Sequence, residues 1–200
     1  IVGVSYFVWN SSISDKICKE LKTINPNITI IYGGLGIPRP EVIQEFLEEH
    51  KYVDYVVHNE GEHSFELLLL YLTNSIDISK LKGISSKDIT YSPINRIKDI
   101  NSMPSPYLNG LFDELLSVKS HNYTFEGIIE PERGCPYSCT FCEVGDSYFT
   151  KIAKHDINKV FSEIDWLSKN EIEYVHIVDN NFGMYKDHLD IAKHIVHNKN

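Results

Sequence analysis

Arginine is nearly missing from this chain. Arg39, Arg96 and Arg133 are the three in 200 residues, and with lysine they bring the cations to 19 against 28 acids, for a net charge of -9. A chain without clustered cations is a poor partner for a phosphate backbone, so no nucleic-acid partner is expected. Long apolar runs are also absent. The longest, Phe65 to Leu72, is far too short to span a bilayer and carries Glu66. There is no Walker loop, no Gly-x-Ser-x-Gly elbow and no His-Glu-x-x-His, which removes the common phosphate-cradle, hydrolase-elbow and zinc-protease readings. Paired cysteines are missing too: there are 4, with Cys18 alone and Cys135, Cys139 and Cys142 crowded together. Three close thiols make a poor disulfide set and suit a reducing compartment, so a cytoplasmic protein is expected.

What is present is ordinary globular composition, 42% hydrophobic and 24% charged, enough for one large domain or two small ones. The opening Ile-Val-Gly-Val-Ser-Tyr-Phe-Val reads as the middle of a buried strand, and Asn200 follows a helix. The expectation is a piece of a longer protein, with any targeting signal outside it.

The first seventy residues alternate strand and helix patterns. Val2–Val8, Ile28–Tyr32 and Val53–Val57 read as buried strands. Between them Ile13, Ile17, Leu21 and Ile24 recur at helical spacing, Ser11, Ser12 and Ser14 offer N-caps, and 41–50 and 62–72 read as further helices. Continuous apolar strands alternating with amphipathic helices predict a parallel sheet covered on both faces, with ligands beyond the carboxyl ends of its strands. The stretch 74–123 loses the rhythm and reads as an inter-domain connector, with strand-like pieces in 84–91 and a proline-rich run, 103–107. A second series follows. Phe125–Ile129 is a strand, Ile157 to Leu167 a helix, Tyr174–Val178 a strand, and Leu189, Ala192, Ile195 and Val196 mark a last helix. The predicted domains are 1–73, the connector 74–123, and 124–200.

The cysteine loop carries the chemistry. Residues 132–142 read Glu-Arg-Gly-Cys-Pro-Tyr-Ser-Cys-Thr-Phe-Cys, a Cys-x3-Cys-x2-Cys spacing. Three thiolates on one loop can each bind a different iron of a cubane cluster, leaving the fourth iron open to chelate adjacent amino and carboxylate groups. Gly134 and Pro136 suit the tight backbone this needs. A structural zinc site is the competing reading. It needs a fourth ligand, Cys18 or a histidine such as His155, and the chain has no second cysteine pair.

With Arg-Gly-Cys-Pro-x-x-Cys-x-Phe-Cys following a strand that can begin a barrel, the chain resembles the radical S-adenosylmethionine superfamily. The resemblance implies that Cys135, Cys139 and Cys142 hold a 4Fe-4S cluster, that its open iron binds S-adenosylmethionine, and that Phe141 lies beside the adenine. The family's Gly-Gly-Glu-like motif, which contacts the amino group of S-adenosylmethionine, corresponds to Val178-Asp179-Asn180-Asn181-Phe182. Asp179 or Asn180 is the candidate, with the register open by one residue; taken alone, this stretch reads better as a helix-capping loop.

The N-terminal part resembles the cobalamin-binding domain fused to many radical enzymes. The residues concerned are Ser5-Tyr6-Phe7 after one strand, Gly33-Gly34 after the next, and Val-Val-His-Asn-Glu-Gly-Glu-His-Ser-Phe at 56–65. By that resemblance Ser5, Gly33, Gly34, Glu60 and Gly61 pack around the nucleotide tail of cobalamin, where small residues let backbone approach a bulky ligand. Gly33-Gly34 is otherwise a plain strand-to-helix turn, and Glu60-Gly61-Glu62 a run of acids at a helix start. Phe7 replaces the usual Leu, and the family's Asp-x-His-x-x-Gly belongs upstream. His58 and His63 read as structural, His188 and His194 as solvated helix residues, and Cys18 as a small buried hydrophobe.

The fold class implied is α/β: a partial doubly wound, flavodoxin-like parallel domain, then the first βα units of a radical (β/α) barrel with its strand edges exposed. The activity implied is generation of a 5'-deoxyadenosyl radical for methyl transfer to an unactivated carbon of a small-molecule or peptide substrate. A flavodoxin or ferredoxin would supply the electron. The alternatives are a radical cyclase of the tetrapyrrole type and a non-catalytic cobalamin or zinc module.

Overall fold

The computed structural model describes residues 1–118, 124–142, 144 and 150–198. The chain divides into two compact units, Ile1–Arg96 and Ile97–Asn200.

In the first unit, β1 (Val2–Ser5), β2 (Ile30–Gly33) and β3 (Tyr55–Val57) run parallel, and β4 (Ile84–Ser85) closes the sheet antiparallel to β3. The strand order is β1-β2-β3-β4. Between the parallel strands lie α1 (Ser11–Ile24) and α2 (Ile43–Glu49), and α3 (Gly61–Leu72) follows β3. Alternation along β2 shows the two-faced burial that the apolar strand predicts. Ile30 and Tyr32 join Cys18, Ile43, Phe46 and Leu47 on one face, while Ile31 joins Val57, Leu68 and Ile84 on the other. The α/β class and the mainly parallel sheet follow the sequence pattern. Two details differ. First, β1 is a sheet edge and only half-buried, ending at Ser5 because residues 6–10 turn into α1. Second, α1 is not capped by a serine: Asn10 occupies the N-cap, and its side chain instead accepts from the Phe7 N–H and donates to the Ser5 carbonyl. An ion pair anchors the amino ends of the strands. Lys22 Nζ lies 2.8 Å from Asp54, which also accepts the Ile30 N–H at 2.7 Å.

The second unit pairs β5 (Glu126–Ile129) with β8 (Tyr174–Ile177) in parallel, and β6 (Glu132–Arg133) with β7 (Ala153–Lys154) antiparallel. Its helices are α4 (Asp113–Ser117), α5 (Ile157–Lys169) and α6 (Lys186–His197). Ile129, Val160, Ile164, Leu167 and Ile191 form the core. Gly127 lets α5 approach the sheet, since a Cβ there would sit 2.6 Å from Leu167 Cδ2. Tyr107, from the proline-rich run, binds β5: its hydroxyl donates to the Ile128 carbonyl at 2.7 Å and accepts the Ile128 N–H at 2.8 Å. Tyr174 and Val175 of β8 remain exposed. Residues 74–96, expected as connector, supply β4 to the first unit; residues 97–118 belong to the second. No helix among the described residues is long and apolar enough to cross a membrane.

Candidate functional site

The first unit carries a groove of about 500 Å³ above the carboxyl ends of its parallel strands. Ser5, Gly33, Gly34 and Gly61 all line it, together with Asn59 and Phe65. Four of its lining residues are glycines, Gly3, Gly33, Gly34 and Gly61. Gly34 has φ +112°, a region L-residues avoid, and a Cβ on it would lie 2.9 Å from the Tyr6 carbonyl oxygen. Below the groove Tyr6 and Tyr32 stack at 4.8 Å, and the Tyr32 hydroxyl donates to Asp15 at 3.1 Å. Burial holds the Tyr32 phenol well above its usual range. Glu60 is not among the lining residues. Its carboxylate is buried in an ion pair with Arg96 at 2.8 Å, beside the start of α3.

Beside the groove, His58 is buried, and Nε2 lies 2.9 Å from Ser85 Oγ. Desolvation lowers its pKa to about 4, against a weaker opposing pull from Glu41. The histidine is therefore neutral at ordinary pH. His63, by contrast, is exposed near Glu66.

In the second unit the cysteine loop leaves β6. All three cysteines are free thiols; Cys135 is half-buried, while Cys139 and Cys142 are exposed. The loop turns at Gly134, with φ +116°, and the Cys142 N–H bonds to the Cys139 carbonyl at 3.1 Å. Arg133 forks onto Glu130 with two bonds of 2.9 and 2.7 Å, which fixes the approach to the loop. Cys18 lies in the core of the other unit and His155 is half-buried beside Lys159. Phe141 stands 91% exposed, an apolar ring held out in solvent.

The loop after β8 meets the cysteine loop. Asn180 Nδ2 donates to the Gly134 carbonyl at 3.3 Å, and the Cys135 thiol lies 3.8 Å from Asn181 Oδ1. Asp179 points elsewhere. Its side chain is fully buried, one oxygen accepting the Asn181 N–H at 2.7 Å and the other 3.4 Å from His188 Nε2. His188 Nε2 also lies 3.4 Å from Glu132, three residues before Cys135, and Lys154 lies 3.5 Å from the same carboxylate oxygen.

His188 is thus a buried hub, 3% exposed, and not a solvated helix residue. The last helix turns a different stripe inward than the sequence reading expected: His188, Ile191 and Ile195 face in, while Leu189 and Val196 face out. His188, Ile191 and Ile195 share i, i+3, i+7 spacing, a signal that was present in the sequence. Glu132, Asp179 and His188 bring ligand atoms within 4.8 Å of one another. One hydrogen bond argues against a metal there, although Glu132 Oε1 and Oε2 and Asp179 Oδ2 have no hydrogen-bond partner among the described residues. His188 Nδ1 accepts the Gly183 N–H at 2.7 Å, so the ring proton sits on Nε2 and points at the acids. A metal-binding histidine has the opposite arrangement, donating from its second nitrogen.

No protein-family model matches the chain. The cobalamin-dependent radical SAM methyltransferase TokK of Streptomyces tokunonensis is 33% identical over 199 residues, which cover 96% of this chain and 29% of TokK. This chain therefore spans under a third of the length of that relative. Among solved structures, the cobalamin-dependent S-adenosylmethionine radical enzyme OxsB with aqua-cobalamin and S-adenosylmethionine bound superposes at TM-score 0.71 with 18% identity, covering 99% of this chain and 28% of OxsB. The radical S-adenosylmethionine methyltransferase TsrM of Kitasatospora setae, with cobalamin and a [4Fe-4S] cluster bound, does so at 0.67 with 15% identity, covering 98% and 40%.

Proposed function

We propose, for a chain that belongs with the cobalamin-dependent radical S-adenosylmethionine enzymes, that the whole protein transfers a methyl group to an unactivated carbon. The observation that carries this reading is the junction of two loops at the carboxyl ends of adjacent parallel strands. The three-thiol loop after β5 and β6 and the Asp179–Asn181 loop after β8 bond to each other through Asn180 and Gly134.

The donor set fits the cluster. Cys135, Cys139 and Cys142 would hold it, because three free thiols on one turn-rich loop match three irons of a cubane, and the exposure of Cys139 and Cys142 leaves room. When bound and reduced, the cluster supplies the electron that cleaves the sulfonium of S-adenosylmethionine to methionine and a 5'-deoxyadenosyl radical. The protein's own part is positioning. Phe141 offers an exposed ring for the adenine. Of the two candidates for the amino group, Asn180 faces outward, whereas the Asp179 carboxylate is buried against His188 with one oxygen accepting the Asn181 N–H. In the first unit the open groove lined by Ser5, Gly33, Gly34 and Gly61 suits the nucleotide tail of cobalamin, which would carry the methyl group. Glu60, paired with Arg96, would hold the wall of that groove in place and not touch the ligand. The electron donor would be a flavodoxin or ferredoxin, in a reducing compartment such as the cytoplasm, and the substrate a small molecule or peptide.

The test is to incubate the anaerobically reconstituted full-length protein with S-adenosylmethionine, cobalamin and a low-potential reductant. The expected products are 5'-deoxyadenosine and methionine, together with the visible spectrum of protein-bound cobalamin. A protein that carries one zinc and yields neither product is a binding module, which contradicts the proposal.

A further inference from the structure

Asn181 has no role in the motif carried over from the sequence, yet its side chain lies beside a cysteine sulfur. Oδ1 lies 3.8 Å from Cys135 Sγ, while Nδ2 is buried with no hydrogen-bond partner among the described residues. A buried amide donor left unsatisfied is destabilising, so its presence asks for an acceptor. In the free thiol, Cys135 donates weakly to Oδ1. As an iron ligand the sulfur is a thiolate with no proton, and it can only accept. Rotation of the amide by half a turn then brings Nδ2–H to the sulfur. This gains a hydrogen bond and gives up none, because the vacated position of Nδ2 has no partner to lose.

Resting on the cluster reading above, we infer that Asn181 donates an N–H···S hydrogen bond to the Cys135 thiolate and thereby raises the reduction potential of the cluster. Reduction adds negative charge to the cluster and its sulfurs. A donor aimed at one of them stabilises the reduced form more than the oxidised form.

The placement of Asn181 is enforced from behind. Its backbone N–H is held by Asp179 Oδ1 at 2.7 Å, Asp179 Oδ2 lies 3.4 Å from His188 Nε2, and the His188 ring is oriented by the Gly183 N–H at 2.7 Å. Glu132 ties the same histidine to the strand that leads into Cys135. One buried hub therefore fixes the donor and the sulfur together, which is the supporting arrangement that tunes a metal centre.

The experiment is a redox titration of the reconstituted full-length protein, followed by electron paramagnetic resonance in the absence of S-adenosylmethionine. The variants are Asn181→Leu, which keeps the size and removes the donor, and Asn181→Gln, which retains a donor amide. With about four irons per chain in each, Asn181→Leu is expected to lower the reduced-to-oxidised ratio at a fixed potential about tenfold, a downward shift of about 59 mV for one electron. Asn181→Gln is expected to recover most of it. An unchanged potential in Asn181→Leu overturns the inference, including the case where only affinity for S-adenosylmethionine falls, since that would place the amide on the substrate side. Equal shifts in both variants overturn it as well, because they indicate loosened packing. A wild-type protein that takes up no iron overturns the cluster reading itself, and this inference with it.

Discussion

The two units place their candidate sites at the same topological position, beyond the carboxyl ends of parallel strands, and build them in opposite ways. The groove of the first unit is lined by several residues without side chains, Gly33, Gly34 and Gly61 among them, and the polar groups nearby, Glu60 with Arg96 and His58 with Ser85, are tied up with one another. The site of the second unit is made by putting side chains in. Glu132, Asp179 and His188 are buried together, and Asn180 and Asn181 reach across to the cysteine loop. The first arrangement suits a large ligand recognised by shape. The second suits a small reactive centre whose position and electrostatics must be controlled.

The contrast breaks most completely at the cysteines. Cys135→Ala is expected to remove cluster binding and all formation of 5'-deoxyadenosine, while cobalamin still binds; iron analysis and the cobalamin spectrum of one sample report both. Next comes the hub. His188→Ala leaves Glu132 and Asp179 buried, with Lys154 lying 3.5 Å from Glu132. Removing the imidazole that faces both buried carboxylates costs about 1–3 kcal/mol. Urea denaturation is expected to show that loss, and iron retention is expected to fall along with it.

In the first unit Gly34→Ala meets the Tyr6 carbonyl and a backbone in the left-handed region, worth about 1–3 kcal/mol of strain. Cobalamin affinity is expected to fall at least as steeply as stability, with iron content unchanged. Retained cobalamin affinity in that variant would show that the groove is not the ligand's seat.

The smallest effect is the pH response of His58. Its folded pKa of about 4 lies below the usual 6.5, so the unfolded chain binds the proton more readily across that interval. The contribution to stability is complete above pH 6.5, declines as the pH falls, and is gone near pH 4, for a total of at most about 3 kcal/mol. Denaturation midpoints of the wild type and His58→Phe, measured from pH 7 to pH 4, are expected to converge as the pH drops.

Local patterns made much of this legible. The apolar runs at 28–32 and 53–57 and the helical spacing of Ile157 to Leu167 announce a parallel α/β sheet, and the backbone realises it. The three-thiol spacing needs no tertiary knowledge, because one loop carries all of it. What was hidden depends on contacts between distant segments. The burial of His188 follows from a carboxylate 56 positions earlier, at Glu132, and another at Asp179. A histidine on a helix with acids for neighbours reads as solvated until those partners are in view. The same holds for Asn181, whose interest lies in a sulfur 46 positions away. Asn10 displaced the serines as helix cap because its side chain is used to turn the chain from β1 into α1.

The most direct measurement is the electron paramagnetic resonance spectrum of the reduced, reconstituted full-length protein before and after addition of S-adenosylmethionine. The account predicts a 4Fe-4S signal, at about four irons per chain, that changes shape when S-adenosylmethionine binds the open iron. A signal indifferent to S-adenosylmethionine, or none at all, would contradict it.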